Sequence, residues 1–165
     1  MLVLRPTRRL RTLLKAKFVE DPPPSTGRLG DWYANDVRTR AGKLLVFVNE
    51  TRLVIVIPSR DKARLGEIFR ARLLALLDRL GVPEEAARAE VAEAAEIVFA
   101  ATADRSLVGS MNDICFHVMF HLGRSNISFD ELEVDLAGMP HVKQAEAFPD
   151  RAVRSRLGGI DPSLH

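Results

Sequence analysis

The run Lys43-Leu-Leu-Val-Phe-Val-Asn49 holds five successive apolar residues between a lysine and an asparagine. An uninterrupted apolar run of this kind is typical of a strand covered on both faces, so we expect it to form the centre of a sheet. Two further candidate strands flank it at residues 32–39 and 53–57, and only residues 40–42 and 50–52 separate the three. Such short spacers predict an antiparallel meander.

Helical patterns occupy much of the remaining chain. Residues 61–80 repeat leucine, isoleucine and phenylalanine at helical spacing, and Gly81 is the residue expected just beyond that helix. Thr7 predicts the cap of a short helix that runs to about residue 16, and Ser128 with Glu131 predicts a capping box for another. Further helices are predicted at residues 83–95, from the 105–113 motif to residue 122, and for one turn after Pro149.

The chain has 165 residues and a mass of 18.4 kDa, the usual size of one globular domain. Short apolar segments at residues 1–4 and 97–99 add an N-terminal strand and a later candidate strand. We therefore predict an α+β fold: a three-stranded antiparallel meander plus an N-terminal strand, packed with about five helices. We expect a single domain over residues 1–157 and a flexible C-terminal tail at residues 158–165.

Composition places the chain among ordinary soluble proteins, with 47% hydrophobic and 28% charged residues. Apolar runs such as residues 44–48 are far too short to span a membrane, and the amino terminus lacks the charge order and cleavage site of a secretory signal. Cys115 is the only cysteine, so no disulfide can form within the chain. These features predict a cytoplasmic protein with no membrane partner.

Charge is distributed unevenly, although the formal net charge is only +2. The first 19 residues contain six basic residues and no acidic one. A basic helix of this kind can bind the phosphates of a nucleic acid. The candidate nucleic-acid contacts are Arg8, Arg9, Arg11 and Lys15. The alternative is an amphipathic helix whose basic face is simply solvated, since no aromatic residue interleaves these four for base stacking.

The motif Arg105-Ser-Leu-Val-Gly-Ser-Met-Asn-Asp113 combines an arginine, two hydroxyls, a glycine and an Asn-Asp pair. It predicts a helix start at which Ser110 and Asp113 form the acidic version of a capping box. The alternative is an anion-binding site, where free backbone amides and the helix dipole attract the ligand. The residues of that site would be Arg105, Ser106, Gly109 and Ser110. Asp113 opposes this interpretation, because a carboxylate at the helix start repels an anion.

No established reaction signature accompanies the motif, since the chain lacks a nucleophile elbow, a phosphate-binding loop and a dinucleotide fingerprint. We lean towards a protein that is not an enzyme. The residues to consider for catalysis, if there is any, are Arg105, Ser106, Asn112 and Asp113, with Asp104 beside them. Asp113, His117 and His121 share one helix face and have the spacing of metal ligands. A solvated polar stripe is the preferred interpretation, so neither a metal nor a cofactor is predicted.

Trp32 and Tyr33 are the only tryptophan and the only tyrosine, and they adjoin at the start of a predicted strand. Adjacent strand residues face opposite sides, so we expect at most one ring in the core and the other at the surface or an edge. An exposed amphipathic aromatic often anchors a partner. The candidate partner-binding residues are therefore Trp32, Tyr33 and Asn35. The alternative is that helices cover both faces of the sheet and bury both rings.

Three blocks carry a resemblance to a known family: Leu29-Gly-Asp-Trp-Tyr-Ala-Asn35, Leu45-Val-Phe-Val-Asn49 and Arg105-Ser-Leu-Val-Gly-Ser-Met-Asn-Asp113. In this order they resemble a bacterial family of unknown function, whose members are single small domains that start with a strand and a basic helix. The similarity covers nearly the whole chain. It implies a coherent fold for the three blocks, and no activity.

These observations favour a small bacterial protein of the cytoplasm that acts by binding, most of all as a protein-interaction or accessory module. Two alternatives stay open. One is a nucleic-acid-binding protein that uses the basic N-terminal helix. The other is an enzyme that acts on a phosphorylated or otherwise anionic substrate at residues 105–113.

Overall fold

One mixed sheet of five strands forms the middle of the fold. The computed structural model describes residues 1–159, and its strands are β1 (Leu2–Pro6), β2 (Trp32–Thr39), β3 (Gly42–Asn49), β4 (Val54–Pro58) and β5 (Ile97–Phe99). They lie in the order β4-β3-β2-β1-β5. The pairs β2–β3 and β3–β4 are antiparallel, which confirms the predicted meander, whereas β1 runs parallel to both β2 and β5.

Within residues 1–159, six α-helices surround the sheet: α1 (Arg8–Leu14), α2 (Leu65–Arg79), α3 (Glu84–Glu93), α4 (Arg105–Arg124), α5 (Phe129–Ala137) and α6 (Pro149–Leu157). The predicted α+β class and single-domain organisation are confirmed, with one helix more than the expected five. None of these helices combines the length and the apolar composition that a membrane crossing requires.

The predicted place of the apolar run in the sheet is wrong. β3 is second from one edge, and β2 takes the central position because β1 and β5 extend the sheet beyond it. Tyr33 of β2 is aligned with Arg5 on its parallel side and with Val48 on its antiparallel side. Residues 44–48 are nevertheless fully buried, because helices cover both faces of β3.

The two faces of the sheet are covered by separate apolar cores. On the first face, leucines of α2 pack against the sheet, with contributions from α1, α3 and α6. On the second face, the covering helices are α4 and α5. Successive residues of β3 alternate between the cores, as the two-residue period of a strand requires: Phe47 lies in the first, whereas Val46 and Val48 lie in the second.

Two of the predicted helix caps are confirmed. The Thr7 hydroxyl accepts a hydrogen bond from the Leu10 amide at 3.4 Å, and α1 begins at the next residue. Ser128 and Glu131 form the predicted capping box, each side chain accepting from the backbone amide of the other at 3.1 and 3.4 Å. α2 begins later than predicted because a 3-10 helix, Ser59–Arg64, precedes it. The predicted tail at residues 158–165 falls outside the described residues from residue 160 onwards.

Candidate functional site

α4 carries the 105–113 motif, and it begins before the predicted capping box. Asp104 is its N-cap, since the Asp104 carboxylate accepts a hydrogen bond from the Leu107 amide at 3.1 Å. Ser110 and Asp113 lie inside the helix, so the Ser110–Asp113 capping box is wrong. Aspartate is as good a cap as serine, and a start at residue 105 also buries Leu107 in the second core.

The backbone part of the predicted anion site is absent for the same reason. Gly109 and Ser110 lie within α4, where their amides donate to carbonyls one turn earlier. Gly109 is exposed, and a Cβ placed on it would meet no atom within 4 Å, so no close approach within the described chain requires a glycine there. Binding by this motif would therefore have to use its side chains, and it stays a prediction.

A groove of about 610 Å³ lies between α4 and the segment that follows α5. Its lining includes five positions of the motif, namely Ser106, Gly109, Ser110, Asn112 and Asp113. His117 continues this wall along α4, and His141 with Lys143 faces it from the other side. Arg105 is exposed and does not line the groove. The structure thus brings together every predicted catalytic or anion-binding residue of the motif except its arginine.

A different arginine, Arg52, lies at this end of the molecule, and sequence reasoning missed it. Arg52 stands in the turn between β3 and β4 with a left-handed φ of 67°, and only 3% of it is exposed. Its Nη1 donates to the Glu50 carbonyl at 2.9 Å, whereas its Nε is buried without a hydrogen-bond partner among residues 1–159. Burial lowers the pKa of its guanidinium, and the charges of Asp104 and Glu50 oppose that effect.

His141 links Arg52 electrostatically to the groove. Its pKa is lowered, first by burial and then by the positive charges of Arg52 and His117, while Asp113 opposes the shift. Arg52 itself does not line the groove. Because its pKa is lowered, His141 is neutral near pH 7 and can accept a hydrogen bond or a proton there.

The other candidate metal and nucleophile positions have ordinary surroundings. The rings of His117 and His121 lie one helical turn apart, with their centroids separated by 6.5 Å. Across residues 1–159, no group of three or more His, Cys, Asp or Glu side chains is placed to hold a metal ion. Burial raises the pKa of the Cys115 thiol to about 12, so this thiol is protonated at neutral pH and is a poor nucleophile.

The predicted partner-binding residues Trp32 and Tyr33 are both buried. They face opposite sides of the sheet, as predicted, with Trp32 edge-on to Phe69 at a centroid distance of 5.1 Å. The expectation of a surface ring is wrong, because helices cover both faces of β2. The Tyr33 hydroxyl accepts a hydrogen bond from the Asp104 amide at 3.0 Å, so this ring helps to position the start of α4.

Exposed apolar side chains lie instead on the outward face of α4. Phe116 is 68% exposed, Phe120 54% and Met119 37%. Because they are three and four residues apart, they lie side by side on one face of the helix. This set of three residues is called the α4 patch below.

Basic and polar side chains border the α4 patch. Arg9, Asn35 and Arg38 line the same shallow groove as Phe116 and Met119. The Arg124 guanidinium carbon lies 4.6 Å from the centroid of the Phe120 ring. Asn35 therefore shares a groove with an exposed aromatic of α4, and its role in binding a partner stays a prediction.

The basic residues of α1 divide into two groups. Arg8, Arg11 and Lys15 are exposed, and Arg11 lies over the Phe18 ring at 4.1 Å from its centroid. Arg9 turns towards β2, where its Nε donates to the Asp36 carboxylate at 2.9 Å. Arg9 nevertheless remains 70% exposed, so all four predicted nucleic-acid contacts are accessible, and binding of a nucleic acid by them stays a prediction.

Comparison with known proteins identifies the family. No curated protein and no solved structure matches the chain. Residues 3–152 match the family described as Domain of unknown function (DUF6933), a stretch that includes all of the sheet except Leu2 and all of α4. The match also contains the three sequence blocks on which the family resemblance rests. Because it spans nearly the whole chain, the protein belongs to the DUF6933 family.

Proposed function

We propose that this protein is a protein-interaction module that binds an acidic, amphipathic segment of another protein through the α4 patch. The observation that carries the proposal is the exposure of Phe116 and Phe120 on one helix face. Burial of one large apolar side chain contributes roughly 1.5–3 kcal/mol, and clustered aromatic residues are frequent at the energetic centre of interfaces. A partner that covers both rings would therefore gain a large part of its affinity here.

The charge around the α4 patch supports an acidic partner. Arg9, Arg38 and Arg124 border it. Asp36, the carboxylate that lines the same groove, is buried and already paired with Arg9 at 2.9 Å and with Lys43 at 3.1 Å. Partners with acidic residues around an apolar stripe would match this surface, whereas basic partners would be repelled.

The shape of the α4 patch supports a helical partner. Its three side chains form a short ridge along α4 rather than a cleft with an exposed strand edge. Docking of an amphipathic helix uses anchors at the same three- and four-residue spacing.

The single cysteine is free and buried, so it requires no oxidising compartment. It thereby supports our inference that the interaction takes place in the cytoplasm.

Site-specific crosslinking tests this proposal. A photoreactive amino acid at position 120, and at exposed position 88 of α3 as a control, would be introduced in the native cells, and the crosslinked peptide would be sequenced. We expect position 120 to select one acidic, apolar peptide of another protein. A synthetic copy of that peptide should bind the purified protein, and Phe116→Ser and Phe120→Ser should each weaken binding about tenfold or more.

The matched control is Val19→Ser, which removes an exposed apolar side chain beside β5 and should leave the affinity unchanged. Arg38→Glu should weaken binding, and its effect should shrink as salt is added. Crosslinks to a second copy of this chain would indicate self-association through the α4 patch and would contradict the proposal of a different protein as partner. A basic peptide, or equal binding by the patch variants, would overturn the proposal.

A further inference from the structure

We propose that a groove at the C-terminal end of α4 binds a phosphate group, carried by a phosphoserine or phosphothreonine of the partner segment. The carrier of the phosphate rests on the proposed function, whereas the phosphate site itself follows from the groove alone. Three observations lead to it: two arginines without counterions, a groove wall without a carboxylate, and direct continuity with the α4 patch.

This groove lies between the end of α4 and the turn that joins β2 to β3. Its volume of about 460 Å³ is in the range of small-molecule sites, so a phosphorylated side chain can be accommodated. Arg40 lines it from the turn, and Arg124 with Asn126 lines it from the α4 side. Two positively charged residues from separate parts of the chain therefore border one groove.

Both arginines lack a counterion. Neither Arg40 nor Arg124 forms an ion pair within residues 1–159, whereas exposed Arg64 on the 3-10 helix is paired with Glu67. Arg124 does contact the Phe120 ring, but this contact supplies no negative charge. Two guanidinium groups are therefore available to an anion, and each can donate a pair of hydrogen bonds to its oxygens.

No carboxylate lines the groove within the described chain. Asp130, which follows in α5, is already paired with Arg72 and Arg79. The Glu131 carboxylate accepts from the Ser128 amide. By contrast, the groove between α4 and the segment after α5 has a carboxylate in its wall. Two cations without a neighbouring acid make the groove at the end of α4 attractive to anions.

The turn that carries Arg40 is held in place by the residue before it. The Thr39 hydroxyl donates to the Gly42 carbonyl at 3.0 Å and accepts from the Ala41 amide at 3.1 Å. These two bonds fix the backbone on both sides of Arg40. Less conformational entropy is therefore lost when Arg40 binds a ligand.

The end of α4 carries a partial negative charge of its own, and its last turn offsets that charge. The His121 carbonyl accepts from the Ser125 amide and from the Ser125 hydroxyl, each at 3.2 Å. Arg124 adds a positive charge in the same turn. The side chain of Asn126 has no hydrogen-bond partner among residues 1–159, so its amide can donate to a phosphate oxygen.

Arg124 connects the groove to the α4 patch, because its guanidinium carbon lies 4.6 Å from the centroid of the Phe120 ring. A segment that covers Phe120 would therefore bring its neighbouring side chains to the groove. A phosphorylated serine or threonine carries roughly two negative charges at neutral pH and three acceptor oxygens, so one such group can bind both arginines. A carboxylate carries a single charge and pairs best with one guanidinium. Two arginines in one groove therefore favour a phosphate.

Nuclear magnetic resonance on the full chain tests the phosphate site. The ¹⁵N-labelled protein would be titrated with the N-acetyl amide of phosphoserine and, separately, of serine, at constant ionic strength. We expect only the phosphoserine compound to cause saturable shifts of the Gly123 and Asn126 amides and of the Arg124 Nε–H signal. Arg40→Gln and Arg124→Gln should each weaken its binding about fivefold, the upper range for an exposed charge pair. The matched control, Arg88→Gln on exposed α3, should bind like the parent.

The segment captured by crosslinking at position 120 tests the carrier of the phosphate. Synthetic copies of it with and without a phosphate would be compared on the purified protein. We expect the phosphorylated copy to bind about tenfold more tightly, and Arg40→Gln to reduce that advantage about fivefold. Equal binding of the two copies would overturn this inference and leave the α4 patch as the partner site.

A single-stranded oligothymidylate is the alternative ligand in the same titration. Tighter binding of this oligonucleotide at the groove than of the phosphoserine compound would assign the groove to a nucleic acid and overturn the proposal. The absence of saturable shifts with the phosphoserine compound up to about 50 mM, a concentration that reveals even weak ligands, would overturn the phosphate site. Phosphoserine binding without a segment captured at position 120 would support the site and overturn its assignment to a partner.

Discussion

The Glu133 carboxylate accepts a hydrogen bond from the Val56 amide at 2.9 Å. Glu133 belongs to α5 and is almost fully buried, and Val56 belongs to the edge strand β4. A side chain thus occupies a position that a neighbouring strand would take in a wider sheet. The same carboxylate is paired with Arg72 of α2, so this one group connects α2, α5 and β4.

This carboxylate predicts a pH-dependent stability. Burial raises the pKa of Glu133 to about 7, against the opposing effects of Arg72 and the Val56 amide. The unfolded value is about 4.3, so the native state binds more protons between these two pH values. The free energy of unfolding should therefore fall as pH rises from about 4.5 to 7, by up to about 1.4 kcal/mol per pH unit.

Urea unfolding at several pH values measures this slope. Glu133→Gln, which cannot ionise, should lack this contribution and should show a correspondingly flatter profile. Identical slopes for the two proteins would mean that Glu133 does not change its ionisation in this range. Glu85→Gln, at an exposed position of α3, controls for the loss of a carboxylate.

The start of α4 predicts a clear difference between two substitutions. Asp104→Ala removes the cap on the Leu107 amide and should lower the free energy of unfolding by about 1 kcal/mol. Ser110→Ala lies inside the helix and should change it by less than about 0.5 kcal/mol. Thermal unfolding of both variants distinguishes the two helix starts. A larger loss for Ser110→Ala would support a start at Ser110 instead.

Gly109→Ala should stabilise the protein. Gly109 lies in a regular helix, is exposed, and has no atom within 4 Å of the position a Cβ would take. Alanine in place of such a glycine raises the free energy of unfolding by roughly 0.5–1 kcal/mol. Gly27→Ala is the contrasting variant, since its Cβ would lie 2.5 Å from the Glu90 carboxylate, and it should destabilise the protein. Stabilisation by both changes would contradict this account.

Trp32→Ala should damage the fold rather than a surface. The Trp32 ring is completely buried and packs against Phe69, so its removal should cost about 3–5 kcal/mol. Phe120→Ala, on the exposed face of α4, should change stability by less than about 0.5 kcal/mol. Circular dichroism during thermal unfolding compares the two. A cooperative, unshifted transition for Trp32→Ala would be incompatible with a buried ring.

The antiparallel meander could be predicted because the signals for it, short spacers between candidate strands, lie close together in the sequence. Residues 40–42 and 50–52 are too short to connect anything but adjacent antiparallel strands. The centre of the sheet could not be predicted in the same way, since β2 becomes central only through its parallel pairing with β1. Parallel strands are joined by long connections, and the apolar content of β1 does not indicate which strand it will accompany.

The candidate site was accessible to sequence reasoning only along α4. The motif residues in the groove are close in sequence, so the motif alone indicates the helix that carries them. These residues are Ser106, Ser110, Asn112 and Asp113. Arg52 and His141 lie far from it in the chain, and the turn Glu50-Thr-Arg52 resembles any polar turn. A basic residue in a short turn that follows a fully apolar strand was the one available signal. Burial of its side chain depends on tertiary packing, which the local sequence does not encode.

Both edges of the sheet are occupied by other parts of the same chain. At β4 the Val56 amide is held by Glu133, and at β5 Phe99 pairs with Phe18 and accepts from the Val19 amide at 2.8 Å. Exposed strand edges are the usual starting points for fibrils and for strand-exchanged dimers. These contacts should disfavour association by strand addition at either edge of the sheet.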